Sequence, residues 1–456
     1  MTSSDESKLQ DFITSFISKP DDSSIMERID NGRIRPSKSL QDVLGNILKG
    51  KKEFVLIDDQ KKVYEKIMHH IYRLDPNKND KITFIIEGGP GTGKTVLAIN
   101  LLASCIKDGK NAAYVSKNAA PREVYTKKLA ENSFKKAFIR AAFLGSGSFI
   151  DKKENSYDVL IVDEAHRLNQ KSGLYANMGE NQIKEIINAS RISIFFIDEE
   201  QRITAKDIGS VQEIKRFATQ SGARKYITKI ESQFRCNGSN GYLSFLDDVL
   251  EINKEEYTFS PDDYDIRIVD SASTMRSAIK QKNLIYNKAR MIAGYCWKWK
   301  SKKNENEYDI VLDNGNFEAQ WNFSTTKTWA IDEDSVDQIG CIHTSQGLEF
   351  SYAGIIIGDD LRYENGRVIT DFSKRASTDH SLDGLKTECA KGNPEALEIA
   401  DTLIRNTYRT LLSRAMKGCY VYCTDKALSN YLQDRIKQND RIYRIFSEEM
   451  LLAENP

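Results

Sequence analysis

The sequence predicts an α/β fold built from parallel sheets in two domains. Short apolar runs of strand length alternate with segments of helical period along most of the chain. A glycine-rich loop stands between one of these strands and the helix that follows it. The chain of 456 residues exceeds one ordinary hydrophobic core, so two domains of roughly 200 residues each are expected.

The composition is that of a globular protein, with 40% hydrophobic and 29% charged residues. Lys+Arg and Asp+Glu are both 66, so no bulk basic field exists and any nucleic-acid contact must come from a local groove. The polar start is unlike a signal peptide, and no 18-residue apolar run predicts a membrane helix. These features predict a cytoplasmic protein without a membrane partner.

The chain has 7 cysteines, with no C-x-x-C pair and no histidine nearby at ligand spacing. We expect reduced, mostly buried thiols rather than a structural zinc site.

The first 50 residues are polar with short helical patches, so they are expected to form an N-terminal helical extension. A helix follows Phe54 and ends before the turn at Asp75-Pro76-Asn77. The expected division is an extension at 1–50, a first domain at 51–225 and a second domain at 226–456.

Strands and helices alternate after this turn, beginning with the strand at 81–87 that leads into the glycine-rich loop. Further strands are predicted at 112–116, 159–162, 192–197, 226–230, 266–269, 309–312, 353–357 and 419–423. The polar segments at 298–303 and 363–388 lack a clear period and are predicted to be loops.

The glycine-rich loop matches the phosphate-binding pattern G-x-x-x-x-G-K-[ST] at every fixed position. Its residues are Gly88, Gly89, Pro90, Gly91, Thr92, Gly93, Lys94 and Thr95. Glycines let successive backbone N–H groups curl around phosphate oxygens, and the helix N-terminus adds a favourable dipole. Lys94 would reach the β- and γ-phosphates and Thr95 would hold Mg²⁺, so the loop predicts a site for ATP. A glycine-rich turn without a ligand is the alternative.

Asp163 and Glu164 stand where a buried apolar strand ends. Asp163 would hold Mg²⁺ through bound water, and Glu164 would activate the attacking water. This division of labour predicts hydrolysis rather than binding alone. Two solvated turn residues are the alternative interpretation.

Other polar residues could complete such a site. Gln201 follows a third strand and could bond the γ-phosphate or its water, and the amide of Gln60 could meet a base edge. Arg235 follows a strand, and Arg414 is predicted to lie in a helix. A guanidinium suits a γ-phosphate because its planar fork donates two hydrogen bonds and stays charged, although an isolated helix arginine is more often a surface ion-pair partner.

All 4 tryptophans fall within one lysine-rich stretch between Trp297 and Trp329. They could stack on unpaired bases, but the aromatic core of a small lobe is the more frequent arrangement.

In this order the motifs resemble those of superfamily 1 helicases, and more closely those of bacterial helicase-like ATPases related to the Schlafen group III helicase domain. The resemblance runs from about residue 35 to residue 425. The segments that carry it are FVLIDDQ, GGPGTGKT, AAYVSKNAAPREVY, LIVDEAHRL, FFIDEEQRI, ESQFRCNGS, ARMIAGYCWKW, QIGCIHTSQGLEFSYAGIIIGDDL and NTYRTLLSRAMKG.

The resemblance implies two tandem RecA-like lobes with ATP between them. It assigns Gln60 to the adenine, Arg235 and Arg414 to the γ-phosphate, and Gly347 and Glu349 to nucleotide contact. It further implies a single strand of DNA or RNA crossing the lobes near Asn118, Arg122 and Thr344. His166 stands where many superfamily 1 members carry glutamine, so the coupling of hydrolysis to nucleic acid can differ in detail.

Two hypotheses follow. The first is a nucleic-acid-dependent ATPase motor, a helicase or translocase, with a nuclease or other effector protein as its partner. The second is a nucleotide-gated switch or scaffold, for example in a defence complex against foreign DNA. A nuclease subunit would need a second metal-binding constellation, which the sequence does not display.

Overall fold

The computed structural model describes residues 39–54, 56, 58–75, 80–173, 177–231, 240–254, 257–260, 264–286, 288–322 and 328–454. The α-helices are α1 (Leu40–Leu48), α2 (Asp58–Tyr72), α3 (Lys94–Lys107), α4 (Ala119–Glu131), α5 (Lys136–Ala142), α6 (Gln182–Ala189), α7 (Val211–Gln220), α8 (Asn240–Val249), α9 (Ala272–Tyr286), α10 (Ile342–Ser345), α11 (Leu385–Ala390), α12 (Pro394–Leu412) and α13 (Lys426–Glu454). Single turns of 3₁₀-helix lie between them, at Ser146–Phe149, Ala165–Arg167, Glu199–Gln201, Asp313–Gly315, Trp329–Ile331, Glu333–Asp337 and Phe372–Lys374.

The strands form two parallel sheets and two short hairpins. They are β1 (Ile82–Gly88), β2 (Ala112–Ser116), β3 (Phe143–Leu144), β4 (Tyr157–Asp163), β5 (Ser190–Ile197), β6 (Arg224–Ile230), β7 (Asp265–Ile268), β8 (Ala289–Ala293), β9 (Ile310–Leu312), β10 (Phe317–Ala319), β11 (Ile339–Gly340), β12 (Phe350–Ile357), β13 (Leu361–Glu364), β14 (Arg367–Thr370) and β15 (Ala415–Cys423).

The six-stranded sheet has the order β3-β2-β4-β5-β1-β6, and the five-stranded sheet has the order β11-β8-β12-β15-β7. Every pairing within these two sheets is parallel. We call the six-stranded sheet with α1–α7 the first lobe and the five-stranded sheet with α8–α13 the second lobe. Continuous apolar strands such as Ile82–Gly88 and Phe350–Ile357 are buried because helices cover both faces. The expected α/β fold class with two parallel sheets is confirmed.

The boundary expected between residues 225 and 226 falls inside a strand. β6 begins at Arg224 and pairs with β1, in the register Ile82 to Arg224. The strand therefore belongs to the first sheet, and the division between the sheets lies after Ile230. Strand spacing alone could not reveal this, because the pairing partner lies far away in sequence.

The end of the predicted N-terminal extension is part of the first lobe. Helix α1 contacts α3 and α4 and buries Leu40, Leu44 and Ile47. A Cβ on Gly45 would lie 2.6 Å from Cγ of Asn132, so the two helices approach closely there. Residues 1–38 lie outside the described part of the chain.

The segment predicted to be a loop at 363–388 contains regular structure. β13 and β14 form an antiparallel hairpin, with Asn365 and Gly366 at its turn. Both residues have positive φ, 51° and 81°, which is what a two-residue turn of the Asn-Gly type requires. Helix α11 follows. Across the described ranges, no helix has the length and apolar character needed to cross a membrane.

Candidate active site

The phosphate-loop sequence connects β1 to α3, at the carboxyl edge of the first sheet. Gly91 and Gly93 have φ of 82° and 78°, values that residues other than glycine rarely adopt. Because α3 begins at Lys94, the loop presents the N-terminus of a 14-residue helix. This geometry provides backbone N–H groups and a positive dipole end for an anion.

Lys94 is held at the base of this loop and is 7% exposed. Its Nζ donates to the carbonyl oxygens of Gly88 and Gly89, at 2.7 Å for Gly89. The same nitrogen lies 3.8 Å from Oδ2 of Asp198. Gln60 donates from Nε2 to the carbonyl oxygen of Thr92 at 2.7 Å, so it contacts the loop directly and braces it.

Asp163 lies at the end of β4, facing the loop. Its Oδ2 accepts hydrogen bonds from Oγ1 of Thr95 and from the hydroxyl of Tyr114, each at 2.8 Å. A carboxylate and a hydroxyl oxygen are ligand types that Mg²⁺ accepts, and this metal usually keeps several of its waters. A role for Tyr114 was not predicted, although its place in β2, beside β4, puts it near the end of the strand that carries Asp163.

Glu164 adopts a left-handed backbone conformation, with φ 53° and ψ 47°. Non-glycine residues seldom adopt it, and such strain is concentrated at functional sites. The residue is 8% exposed, and its Oε2 has no hydrogen-bond partner among the described residues. Burial and the adjacent Asp163 carboxylate raise the pKa of Glu164, while Arg414 and Lys94 act in the opposite direction.

Arg414 contributes a side chain of the second lobe to this site. Its Nη2 donates to Oε1 of Gln201 at 3.1 Å, and Nε2 of Gln201 donates to Oδ2 of Asp198 at 2.6 Å. A polar chain therefore runs from the second lobe to the carboxylate beside Lys94. Arg414 follows the end of α12 rather than lying within the helix as predicted. Arg235, the other predicted arginine, lies outside the described residues.

A cavity of about 590 Å³ opens beside the phosphate loop. Its lining includes Gly88, Gly89, Pro90 and Thr92 from the loop, and Asp247 and Arg409 from the second lobe. Loop and second lobe thus face one another across a space of ligand size.

Gly347 and Glu349 lie near Thr95, along the wall of a smaller cavity. Oε2 of Glu349 accepts a hydrogen bond from the backbone N–H of Leu40 at 3.2 Å. Gly347 has φ 83°, and a Cβ there would lie 2.7 Å from Cγ of Pro121. The structure thus places both residues against α1 and α4 of the first lobe.

The chain matches the family model described as Schlafen group 3, DNA/RNA helicase domain, over residues 81–425. It belongs to this family. The match spans both sheets and every described site residue except Gln60, which precedes it.

This Schlafen group 3 helicase domain has a relative in Saccharomyces cerevisiae, the uncharacterized protein YPL245W. The two are 25% identical over 418 residues, covering 82% of this chain and 89% of the relative. RecA of Oleidesulfovibrio alaskensis is 27% identical over 131 residues, covering 25% of this chain and 37% of RecA. The Pif1 helicase of Candida albicans is similar in structure with a TM-score of 0.36 and 12% identity, covering 84% of this chain and 100% of that chain.

A polar network joins the lobes of the Schlafen group 3 helicase domain behind Glu164. Gln346 of the second lobe is fully buried, and its Oε1 accepts from Nη1 of Arg167 at 2.7 Å and from Nδ2 of Asn118 at 3.3 Å. Its Nε2 lies 3.3 Å from Nε2 of His166. The contacts that Gln346 makes with Asn118 and Arg167 were not predicted, because nothing local in the sequence indicates that these residues meet.

His166 connects this network to Glu164. The backbone N–H of Asp198 donates to Nδ1 of His166 at 3.4 Å, and Nε2 of the ring lies 3.4 Å from Oε2 of Glu164. Burial, with the nearby Arg167, holds the pKa of His166 well below its ordinary value. The ring is therefore neutral at physiological pH.

Two further residues predicted to contact nucleic acid lie close to this network. Nε of Arg122 donates to the carbonyl oxygen of Asn118 at 3.3 Å. Oγ1 of Thr344 accepts from the backbone N–H of Cys341 at 2.9 Å, as part of a capping box at the start of α10. Both contacts are local: the first lies within the start of α4, and the second caps the start of α10.

Loss of the Gln346 side-chain amide is expected to destabilise the fold. Gln346→Leu removes the 2.7 Å acceptor of a buried guanidinium, so the free energy of unfolding should fall by about 2–4 kcal/mol. Urea denaturation measures this. Gln346→Glu keeps an acceptor oxygen and should lose much less; equal stability of the Leu variant and the wild type would contradict the network.

Two of the tryptophans are fully buried, and the other two are half-buried and pack against the same hydrophobic core. Trp321 and Trp329 are 4% and 3% exposed, and Trp329 packs against Phe350. The core interpretation is confirmed for these two residues. Trp297 and Trp299 are half-buried, and Nζ of Lys302 lies 4.7 Å from the Trp299 ring centroid.

Proposed function

We propose that this chain is an ATP-hydrolysing, nucleic-acid-dependent motor that binds ATP between its two lobes. The observation that carries the proposal is the buried contact between Arg414 of the second lobe and Gln201 of the first. That contact lies close to the phosphate-loop lysine and to Glu164, whose Oε2 has no hydrogen-bond partner among the described residues. A site completed by both lobes couples the nucleotide state to the distance between them.

Each residue has a proposed role. The loop from Gly88 to Thr95 holds the phosphates, with Gln60 bracing the loop beside the base. Thr95 and Asp163 would hold Mg²⁺, which neutralises phosphate charge when it is bound. Glu164 accepts a proton from the attacking water, and Gln201 orients that water. Arg235 and Arg414 stabilise the charge that develops in the transition state.

The nucleic-acid strand is proposed to cross the junction formed by Asn118, Arg122 and Thr344. Asn118 donates to Gln346, whose network reaches the Glu164 carboxylate through His166. Binding of a strand at this junction would therefore shift the groups that position the catalytic carboxylate. The family description, a DNA/RNA helicase domain, supports this assignment.

The proposal is tested by the ATPase rate of the full chain alone and with single-stranded DNA, duplex DNA or single-stranded RNA. We expect stimulation by at least one single-stranded nucleic acid. If the chain hydrolyses ATP but no nucleic acid alters the rate, the motor is excluded and a nucleotide-gated switch is favoured. Strand displacement on a labelled duplex then separates a helicase from a translocase.

Tyr114→Phe is expected to raise the Mg²⁺ concentration needed for half-maximal hydrolysis by about tenfold, because Asp163 loses a hydrogen bond that orients it. A magnesium titration of the ATPase rate measures this. Tyr64→Phe is the matched control, since the Tyr64 hydroxyl lies 2.6 Å from Oγ of Ser104, in another part of the first lobe. Equal magnesium requirements in the two variants would contradict a positioning role for Tyr114.

A further inference from the structure

Arg409 lies in the last turn of α12, upstream of Arg414, and lines the cavity beside the phosphate loop. It is only 5% exposed. Neither the phosphate-loop pattern nor the position of Arg414 indicates a role for it. Its surroundings, however, differ from those of a surface arginine in three respects.

First, carboxylates of both lobes hold its guanidinium. Nη2 donates to Oδ2 of Asp247 in the second lobe at 2.9 Å, and Nε donates to Oδ1 of the same carboxylate. Nη2 also lies 3.0 Å from Oε2 of Glu200 in the first lobe. Burial alone would lower the pKa of Arg409, but the hydrogen bonds and charge of Asp247 raise it above its ordinary value. The charge is therefore permanent.

Second, the guanidinium is not saturated. Nη1 is buried and has no hydrogen-bond partner among the described residues. An arginine offers five N–H donors, and leaving buried donors unpaired is costly. The arrangement therefore retains capacity for another acceptor.

Third, carboxylates predominate among the described residues that line the cavity. They are Glu87, Asp198, Glu199, Glu200, Glu231 and Asp247, and within this described lining Lys229 is the other cation. A polyphosphate entering this space needs positive charge on the side facing the loop. The Arg409 guanidinium provides that charge from the second lobe, and its field reaches Asp198, the carboxylate 3.8 Å from Nζ of Lys94.

We propose that Arg409 is a further nucleotide-contacting arginine, which exchanges Glu200 for the terminal phosphate of ATP while Asp247 keeps its fork oriented. This inference rests on the proposed function, because it assumes that ATP binds at the loop. The exchange transfers Arg409 from a first-lobe carboxylate to the nucleotide. Arg409 therefore favours a triphosphate over a diphosphate, and Glu200 competes with the phosphate.

The test measures binding of a fluorescent non-hydrolysable ATP analogue and of fluorescent ADP to the full chain without nucleic acid. Arg409→Lys keeps the charge but loses the fork, and should weaken the ATP analogue by about tenfold and ADP by less than about threefold. Glu200→Gln removes the competitor and should tighten the ATP analogue by about threefold. Arg405→Lys is the matched control, because Arg405 lies on the same helix and pairs with Asp401.

The outcomes are separable from those of the proposed function. If the wild type binds neither nucleotide, the proposed function fails first. If the wild type binds both nucleotides and the folded Arg409→Lys variant binds them with the same affinities, Arg409 has only a structural role and the inference is overturned. Thermal denaturation shows whether each variant is folded. If Arg409→Lys does not fold, the Glu200→Gln variant decides the question: unchanged affinity for the ATP analogue overturns the inference, and tighter binding supports it.

Discussion

Replacement of Glu164 by Gln is expected to lower ATP turnover by roughly 10²–10⁴-fold, the range that a general base contributes. The amide keeps the size of the side chain but cannot accept a proton from water. The left-handed backbone at this position, φ 53°, holds the side chain beside Asp163 in either variant. Steady-state ATPase rates, with and without nucleic acid, measure the loss.

The binding of ATP should survive this substitution, because Glu164 is not part of the loop that holds the phosphates. Asp163→Asn provides the contrast: Asp163 is the proposed metal ligand, so this variant should also weaken the dependence of binding on Mg²⁺. Turnover within about fivefold of the wild type in Glu164→Gln would remove Glu164 from the role of general base.

The sequence could predict those parts of the site whose residues are contiguous along the chain. The phosphate loop needs Gly91 and Gly93 at positive φ, and that need appears directly as glycines in the sequence. Asp163 and Glu164 follow an apolar run that the structure places in a central strand of the first sheet. Local patterns therefore predicted where these residues lie within their elements.

Contacts between distant residues could not be predicted in this way. Gln346 of the second lobe contacts Arg167 of the first. Arg409 in α12 donates to Asp247 in α8, a helix far away in sequence. No local period or propensity encodes such pairs. The same holds for β6, whose membership of the first sheet is set by its pairing with β1.

One interior strand of the second sheet was not predicted, because it contains a charged residue. β8, Ala289–Ala293, pairs with both β11 and β12, but it contains Arg290, and a charged residue argues against a buried strand. In the structure Arg290 is fully buried. Its guanidinium is satisfied by Ser335, Asn283 and the carbonyl oxygens of Ala289 and Asp332. Ser335 lies in the 3₁₀ turn at Glu333–Asp337 and Asp332 directly precedes it, so this turn supplies acceptors that make the charge compatible with the sheet.

Arg414→Lys is expected to lower turnover by about 10³-fold, near the lower end of what a transition-state arginine contributes. Arg414 is 1% exposed and donates to Gln201 across the junction of the lobes. Lysine keeps the charge, but it lacks the planar guanidinium that can donate to the phosphate and to Gln201 at the same time. The same assay of ATP turnover measures the effect, and nucleotide affinity should change by less than about tenfold.

The two second-lobe arginines should therefore differ in what they control. Arg414 lies near Glu164 and opposes the rise in the pKa of that carboxyl caused by burial and Asp163, so its loss should act on the chemical step. Arg409 lines the cavity at the phosphate loop, so its loss should act on binding. Turnover and affinity measured on Arg414→Lys, Arg409→Lys and the control Arg405→Lys separate these roles. An Arg414→Lys variant that loses affinity while its turnover stays within tenfold of the wild type would reverse the assignment, because the guanidinium of Arg414 would then contribute to ground-state binding.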